Sequence, residues 1–491
     1  NFVVFECICR LLERGYLPNH IELEKPMPGG HHDTGGFCDI IVKDNNNKPY
    51  LLIECKTPGY EFGEAWKKML LDGGQLFNYY NSYRQAEFLC LYASDFVDEH
   101  ANFTSYIISM KDNDEYLRSD KKLLSFGKVQ EDNGGKDDYF KVWKETYQQD
   151  FATNGIFESG ITAFHVGKQK YSINDLKEVD NSAIQKKYHE FATILRQHNV
   201  SGRENAFDKL VNLFLAKIVD ETTNPNELMF YWKGAAFDDY FNFQDRLQKM
   251  YKDGMQKFLG ETVTYIDNET IKETFHLFKN DPDAIRDKIL GYFRELKFFT
   301  NNDFAFLDVH NEQLFFQNAI ILKKIVQMLQ DIKLKTETQN QFLGDLFEGF
   351  LDQGVKQSEG QFFTPMPIVK FLISALPLEN LIKNSAEIPK AIDYACGAGH
   401  FLNEYAHQIK PFVEAHKADE VSNYYAEITG IEKEYRLSKV AKVSAFMYGQ
   451  DEIKIIYSDA LAQNKGINDK SYSVLVANPP YSVKGFLETL S

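Results

Sequence analysis

The sequence lacks paired cysteine motifs and long apolar runs, and each absence excludes a class of protein. Its six cysteines form no Cys-x-x-Cys pair and follow no signal peptide, so we expect free thiols, no structural zinc and a reducing cytoplasm. No apolar run approaches the roughly 20 residues that span a bilayer. These absences argue against disulfide-rich secreted proteins and membrane proteins.

An excess of positive charge is also missing. The net charge is −16, whereas affinity for a polyanion such as DNA comes largely from lysine and arginine at phosphates. A charge summed over the chain cannot reveal a local basic groove, so it does not exclude DNA as a partner. A Gly-x4-Gly-Lys-Ser/Thr loop, which an ATP-driven motor needs for nucleotide phosphates, is absent as well.

What is present is a chain long enough for several cores. At about 150 residues per domain, 491 residues predict about three domains. We expect an α/β multidomain protein with a mixed α/β domain over residues 1–150, a helical connector over residues 160–340 and a second α/β domain over residues 341–491. Because the chain starts at Asn1 and stops at Ser491, just after a Pro-Pro-Tyr run, we expect a fragment of a longer protein.

The first domain is predicted from its alternating patterns. Apolar residues recur at helical spacing over Phe2 to Arg14. Phe37 to Val42 and Tyr50 to Cys55 have β-type composition and flank a polar turn, which predicts a hairpin. A helix is predicted over Glu64 to Tyr83 and a strand over Glu87 to Ser94.

Two acids and a lysine fall on this hairpin. Alternation along a strand places Glu54 and Lys56 on one face, and pairing of the two strands can bring Asp39 beside them. Carboxylates of this kind hold Mg²⁺, which polarises a phosphate and acidifies a water, while the lysine orients that nucleophile. The alternative is an ordinary hairpin whose charged side chains face solvent.

The spacing Asp-x14-Glu-x-Lys resembles that of the PD-(D/E)xK nuclease superfamily. Gln75 and Tyr79 resemble the QxxxY element of its type I restriction subunit branch, and the resemblance implies that they belong to the catalytic set. Glu6, on the first predicted helix, corresponds in position to an extra acidic metal ligand of that branch. Glu6 is therefore predicted to bind the metal together with Asp39 and Glu54. His31 and His32 could also ligate metal, but a flexible polar loop explains them as well.

The middle of the chain carries no recognisable chemistry. Between residues 160 and 340 there is no phosphate loop, no acid and base pair at meaningful spacing and no repeat. Tyr188 to Asp220 and Asn318 to Leu334 carry apolar residues at helical intervals, which predicts a helical bundle.

The last domain contains a strand, a glycine turn and the start of a helix over residues 391–401. This order is typical of a nucleotide crevice at the end of a parallel strand. Glu432 and Asp459 each end a further strand run, where Glu432 suits ribose hydroxyls. The glycine turn alone does not distinguish this crevice from a generic dinucleotide site.

The tetrapeptide Asn478-Pro479-Pro480-Tyr481 follows an apolar strand and resembles the NPPY motif of N(6)-adenine DNA methyltransferases. The adenine amine is a poor nucleophile, because its lone pair is delocalised into the ring. Hydrogen bonds accepted by the Asn478 side chain and the Pro479 carbonyl would localise that lone pair toward a methyl sulfonium, and Tyr481 can stack on a flipped base. A proline turn with a packed tyrosine is the alternative.

Residues 360–365, Gly-Gln-Phe-Phe-Thr-Pro, resemble the segment that precedes the cofactor domain in the type I modification subunit family. The resemblance implies a Rossmann-like domain that binds S-adenosyl-L-methionine (SAM), and it implies that residues 160–340 contain the N-terminal helices of the methyltransferase as well as the connector. By this resemblance, the methionine part of the cofactor is bordered by Gln361, Phe363, Thr364 and Pro365. The floor of the cofactor site is formed by Asp393, Gly397, Ala398 and Gly399. Glu432 would bind the ribose, Asp459 the adenine, and Asn478 would lie where the cofactor meets the target base. His400 departs from the pattern and carries no role.

A nuclease, a helical connector and an adenine methyltransferase in one chain without a motor resemble a type IIG restriction-modification enzyme. The implied cofactors are SAM and Mg²⁺. The implied partners are double-stranded DNA and a C-terminal target-recognition domain or subunit outside this fragment, in a bacterial or archaeal cytoplasm. Two alternatives remain: a type I-like phage-defence enzyme with other activities beyond Ser491, and a methyltransferase whose α/β head binds DNA without cutting it.

Overall fold

The computed structural model describes residues 2–26, 37–97, 100–153, 155–157, 161–164, 172–178, 181–200, 202–268, 270–271, 291–293, 296–299, 301–335, 364–418, 420–462, 464, 467–468 and 470–479. The chain divides into two compact units, Asn1–Lys170 with Trp232–Phe243, and Tyr171–Tyr231 with Gln244–Ser491. The division into residues 1–150, 160–340 and 341–491 stays a prediction. None of the described helices is both long enough and apolar enough to cross a membrane.

A mixed sheet forms the centre of the first unit. Its strands, in spatial order, are β1 (Ile21–Pro26), β2 (Phe37–Lys43), β3 (Pro49–Cys55), β4 (Phe88–Val97) and β5 (His100–Ser109). β3 and β4 are parallel and every other neighbouring pair is antiparallel. The described helices are α1 (Phe2–Glu13), α2 (Tyr60–Asp72), α3 (Gly74–Ser82), α4 (Asp114–Leu117), α5 (Phe126–Glu131) and α6 (Lys136–Lys141).

The two faces of this sheet differ in their partners. α1 buries Val3, Cys7 and Leu11 against the sheet residues Ile40 and Ile53, and this packing forms one hydrophobic core. On the other face, α3 packs against β3 and β4, and α2 packs against β4. They are separate helices because Gly73 and Gly74 both have positive φ, 80° and 51°, which glycine adopts without steric cost.

The segment Trp232–Phe243 completes the first unit from a distant part of the sequence. The Asn113 amide nitrogen donates to the carbonyls of Ala235 and Asp238, at 2.6 and 2.7 Å. The ring of Tyr240 lies 5.7 Å from that of Tyr116. The first unit is therefore built from two separate stretches of chain.

Helices dominate the start of the second unit: α7 (Asn181–Gln197), α8 (Arg203–Thr223), α9 (Tyr240–Gly254), which begins within the segment just described, and α10 (Glu312–Leu329). α7 and α8 are separated at Gly202, whose φ is 86°. α10 packs against α7, as expected for a helical bundle.

A parallel sheet forms the rest of this unit. Its strands lie in the order β8 (Lys454–Tyr457), β7 (Ile428–Glu432), β6 (Ala391–Asp393) and β9 (Val474–Leu475). The helices are α11 (Met366–Ser374), α12 (Leu378–Asn384), α13 (His400–His416), α14 (Val421–Tyr425) and α15 (Tyr435–Met447). Because all strands are parallel, their carboxyl ends meet at one edge, where ligands bind in open α/β sheets.

A buried lysine joins this sheet to the helices of the same unit. Lys439 on α15 donates to the Asn212 side-chain oxygen at 2.6 Å and to the Tyr251 hydroxyl at 2.9 Å. Burial lowers the pKa of Lys439 to about 8. The polar contacts of this lysine hold α15 against α8 and α9.

Candidate functional site

The two acids of the hairpin lie side by side in the first unit. Ile40 pairs with Ile53 and Ile41 with Leu52, so the next pair in the same register sets Asp39 opposite Glu54. Residues opposite each other on antiparallel strands project from the same face. The Asp39 carboxylate also accepts a hydrogen bond from the Cys55 backbone N–H at 2.7 Å.

Glu54 is the most enclosed acid of this group, with 4% of its surface exposed. The Lys56 ammonium donates to one carboxylate oxygen at 2.5 Å, and the Tyr79 hydroxyl lies 2.8 Å from the other. Tyr79 lies equally close to the Phe37 carbonyl, at 2.8 Å, so a single hydroxyl proton is shared between two acceptors. Lys56 and Tyr79 therefore fix the orientation of Glu54.

Burial removes water from the two carboxylates and so disfavours their charged forms. Desolvation raises the pKa of Glu54, and the neighbouring charge of Asp39 raises it further, although the bond from Lys56 opposes both effects. Desolvation likewise raises the pKa of Asp39. One ammonium beside two carboxylates leaves a net negative site, which suits a cation.

The remaining predicted residues of this centre divide between the two faces of the sheet. Gln75 is exposed on α3, and its amide nitrogen lies 3.4 Å from the Tyr79 hydroxyl. Glu6 accepts from the Tyr92 hydroxyl at 2.5 Å and pairs with Arg10. Tyr92 stands opposite Cys55 in the sheet, so it projects from the face opposite that of Glu54.

The structure therefore brings Asp39, Glu54, Lys56, Gln75 and Tyr79 together, but it does not bring Glu6 to them. Within the described residues, no group of three or more histidine, cysteine or acidic side chains could hold a metal ion. Two carboxylates still fit Mg²⁺, which keeps several of its waters and usually takes one or two protein carboxylates. His31 and His32 lie outside the described residues.

A cavity of about 230 Å³ opens beside Glu54 and Gln75. Lys68 and Lys136 also line it, and neither was predicted from the sequence. Lys68 could not be found from helical spacing, because the break at Gly73 and Gly74 separates its helix from that of Gln75. Lys136 could not be found in this way, because α6 reaches the cavity only through tertiary packing.

The second centre lies at the carboxyl edge of the parallel sheet. β6 ends at Asp393, a turn follows, and α13 begins at His400. Gly397 and Gly399 have positive φ, 52° and 84°, and a side chain at Gly399 would lie 3.3 Å from the Ala441 Cβ. The two glycines allow the tight turn before α13, with Ala398 buried between them.

Glu432 ties this turn to the next strand. Its carboxylate accepts from the backbone N–H groups of Gly397 and Glu434, both at 2.9 Å. A carboxylate has about four lone-pair sites, so acceptor capacity remains for two ribose hydroxyls. Asp459, at the end of the adjacent strand, pairs with Lys433 at 2.7 Å, and this bond lowers the pKa of Asp459.

Asp393 is almost fully buried beneath the turn. Burial raises its pKa to about 7, and the nearby charge of Glu432 adds to the effect, although the Ala395 backbone N–H donates to Asp393 at 3.0 Å. Because Asp393 and Glu432 are both acidic, this crevice suits a ligand that carries positive charge. A sulfonium compound such as SAM has that property.

The two motifs at the ends of this domain meet in the structure. The Asn478 amide nitrogen donates to the Thr364 hydroxyl at 2.8 Å, although 114 residues separate them. Pro365 caps the start of α11, and Pro479 follows Asn478 beyond β9. Gln361, Phe363 and Tyr481 lie outside the described residues.

Comparison with solved structures gives low similarities. A protein described as a modification subunit of a type I restriction enzyme from Vibrio vulnificus YJ016 matches at 15% identity, with a TM-score of 0.34, over 64% of each chain. A type I restriction-modification methyltransferase subunit from Streptococcus thermophilus matches at 14% identity and a TM-score of 0.33, over 62% of this chain and 66% of that chain. The type IIG restriction endonuclease BpuSI matches at 11% identity and a TM-score of 0.27, over 98% of this chain and 44% of that chain.

The chain thus spans less than two thirds of the length of each of these structures, and TM-scores this low do not establish a common fold. A search of curated proteins gives no match. The family comparison is more specific, since residues 338–490 match the family described as N-6 DNA Methylase. That segment contains the glycine turn, Glu432, Asp459 and Asn478, and the match supports an adenine DNA methyltransferase domain with SAM as its methyl donor.

Proposed function

We propose that this chain combines a SAM-dependent adenine DNA methyltransferase centre with a Mg²⁺-dependent DNA endonuclease centre, as in type IIG restriction-modification enzymes. The methyltransferase part is supported by the family match over residues 338–490. The endonuclease part is supported by the cluster of Asp39, Glu54 and Lys56 with Tyr79.

The proposal of methyl transfer rests mainly on the position of Asn478, which lies at the carboxyl edge of the parallel sheet and is hydrogen-bonded to Thr364. SAM would supply an electrophilic methyl group on a sulfonium. Glu432 and Asp459 would accept hydrogen bonds from the ribose and the adenine of the cofactor, and Asp393 would face its positive charge. Asn478 and the Pro479 carbonyl would accept from the target amine and localise its lone pair.

Replacing Asn478 tests this assignment. We expect Asn478→Ala to abolish transfer of labelled methyl groups from SAM to adenine in DNA, while Asn423→Ala, at an exposed asparagine of α14, retains it. Digestion of the DNA to nucleosides identifies the methylated base. Wild-type levels of N(6)-methyladenine with Asn478→Ala would refute the assignment.

The proposal of DNA cleavage rests mainly on the buried Glu54, which lies beside Asp39. Lys56 and Tyr79 orient the Glu54 carboxylate. A bound Mg²⁺ would polarise the phosphate and acidify a water. Asp39 and Glu54 would hold the ion, and the Lys56 ammonium would stabilise charge that develops on the phosphate. Gln75, at the cavity beside Glu54, would contact the DNA backbone.

A plasmid nicking assay with Mg²⁺ tests the endonuclease. We expect Glu54→Gln and Lys56→Ala to abolish nicking, because each removes a charge from the cluster. Lys48→Ala is the matched control, since Lys48 is an exposed lysine in the turn of the same hairpin. Equal nicking by all three variants and the wild type would exclude this centre as the source of cleavage.

The head domain that binds DNA without cutting it is the second candidate. Lys68 and Lys136, which line the cavity, favour DNA contact whether or not cleavage follows. Wild-type protein that binds DNA through these lysines but never nicks it in Mg²⁺ would support this candidate.

A further inference from the structure

The bond between Thr364 and Asn478 has a direction that matters for methyl transfer. Asn478 donates from its amide nitrogen, so its amide oxygen is left for another partner. The proposed chemistry requires that oxygen, because the target amine presents N–H donors. With the amide turned over, its N–H groups would face those donors and no bond could form.

Thr364 is in turn held by His400. Although His400 is partly exposed as a residue, desolvation of its ring lowers its pKa to about 4, so the ring is neutral at physiological pH. A hydrogen bond between the ring and the Thr364 backbone opposes this shift, as a ring N–H donated to a carbonyl oxygen does. His400 also follows Gly399 directly at the start of α13, so it belongs to the glycine turn.

These contacts form one path from the glycine turn to the reacting edge. We propose that Thr364 and His400 are positioning residues for methyl transfer: the Thr364 hydroxyl turns the Asn478 amide oxygen toward the target amine, and His400 holds the Thr364 backbone in place. This inference rests on the proposed adenine methyltransferase function. It gives His400 a role and moves Thr364 from a neighbour of the cofactor to a support of Asn478.

The backbone of Thr364 is constrained in a way that fixes where its hydroxyl lies. Thr364 follows the segment assigned to the cofactor methionine and immediately precedes Pro365, the cap of α11. Proline restricts the backbone of the residue before it to extended conformations. The backbone of Thr364 is thus limited on one side by Pro365 and bonded on the other by His400, which leaves its hydroxyl in a defined place for Asn478.

Thr364→Val tests the hydroxyl, because valine keeps the shape and removes the acceptor. We expect the kcat for methyl transfer to fall by about 100-fold, as for small misplacements of reacting groups. The Kd values for SAM and DNA stay close to those of the wild type. Thr364→Ser restores most of the lost kcat, and Ser374→Ala, at an exposed hydroxyl of α11, serves as the control.

A second pair of variants tests the ring. We expect His400→Leu to lower kcat in the same way, whereas His400→Gln, which keeps an N–H donor, retains most of the activity. Thermal melting of each variant identifies any that do not fold, and in that case the Thr364 pair decides. The split between kcat and the SAM Kd matters, because a purely structural defect would weaken both.

Failure of this inference differs from failure of the proposed function. If the wild-type protein transfers no methyl group to adenine in DNA, the proposed function is wrong. If the wild type methylates adenine and Thr364→Val does so at the same kcat, only the positioning role is overturned. Loss of SAM affinity in Thr364→Val with an unchanged kcat would also overturn it, since Thr364 would then be a cofactor contact.

Discussion

We predict that SAM binding depends on pH through Asp393, the buried acid below the glycine turn. Burial raises the pKa of Asp393 to about 7, so the carboxyl group is increasingly protonated below neutral pH. The cofactor carries a sulfonium and an ammonium against one carboxylate, and this net positive charge favours ionised Asp393. We therefore expect SAM binding at acidic pH to be accompanied by release of a proton from Asp393.

The magnitude follows from the fraction of ionised Asp393. This fraction falls from one half at pH 7 to about 1% at pH 5, so we expect the SAM Kd to rise by about 50-fold over these two pH units. A reference α-amino group titrates at about 7.7–8.0, so the amine of the cofactor is mostly protonated over this range and contributes little to the change in Kd. His400, with its pKa lowered to about 4, is neutral throughout it.

Isothermal titration calorimetry measures both the Kd and the proton release, since buffers of different ionisation enthalpy give different apparent heats. Asp393→Asn should bind SAM more weakly at pH 7 and with an affinity that no longer changes with pH. Asp451→Asn, at an exposed aspartate, should behave as the wild type. An equal Kd at pH 5 and pH 7, or an Asp393→Asn variant that keeps the pH dependence, would refute the reasoning.

The same acid affects the stability of the cofactor-free protein. Its pKa is raised in the folded state, so the folded protein holds more protons than the unfolded chain between about pH 4 and pH 7. Stability therefore falls as the pH rises through this window, by about 4 kcal/mol at most for Asp393 alone. Asp393→Asn should remove this dependence, as measured by urea unfolding at pH 5 and pH 8.

The other predictions concern single contacts. Tyr79→Phe removes the hydroxyl beside Glu54 and the Phe37 carbonyl, so we expect a loss of about 1–3 kcal/mol in urea unfolding and slower nicking with Mg²⁺; unchanged values for both would contradict the role of Tyr79. Gly399→Ala should cost about 1–2 kcal/mol, because alanine is strained at positive φ. Gly63→Ala should instead raise the free energy of unfolding by about 0.5–1 kcal/mol, because Gly63 lies inside α2 and an added Cβ would meet open space. If both substitutions changed the free energy of unfolding in the same direction, the positive φ of Gly399 would not be the cause.

Local patterns predicted much of the first sheet but not all of it. The helix predicted over Phe2 to Arg14 and the hairpin correspond to α1 and to the antiparallel pair of β2 and β3. β1 and β5 were not predicted. β1 has the sequence Ile-Glu-Leu-Glu-Lys-Pro, in which apolar and charged residues alternate over only four positions, and it becomes a strand by pairing with β2. Such pairing depends on the neighbouring strand more than on intrinsic propensity.

The methyltransferase centre was more predictable, because its acids end strands and its glycines mark a turn. Glu432 and Asp459 lie where the strand runs placed them, at one edge of the sheet. The contact of Thr364 with Asn478 could not be predicted, since it joins residues 114 positions apart through a side chain whose partner depends on the fold. Lys433 was missed for the same reason.

The face of a helix is harder to assign than its existence. Periodicity shows that Glu6 lies near buried residues of α1, such as Val3 and Cys7. It does not show which face of the sheet α1 covers, and the structure places Glu6 with Tyr92 on the face away from Glu54. The role of Glu6 as a metal ligand stays a prediction.

The segment Trp232–Phe243 limits how the first unit can be produced in isolation. A truncated protein that stops near residue 170 would lose both carbonyls that accept from Asn113, together with the aromatic ring beside Tyr116. Cloning this unit for biochemistry therefore requires the distant segment as well, supplied on a designed linker or as a synthetic peptide.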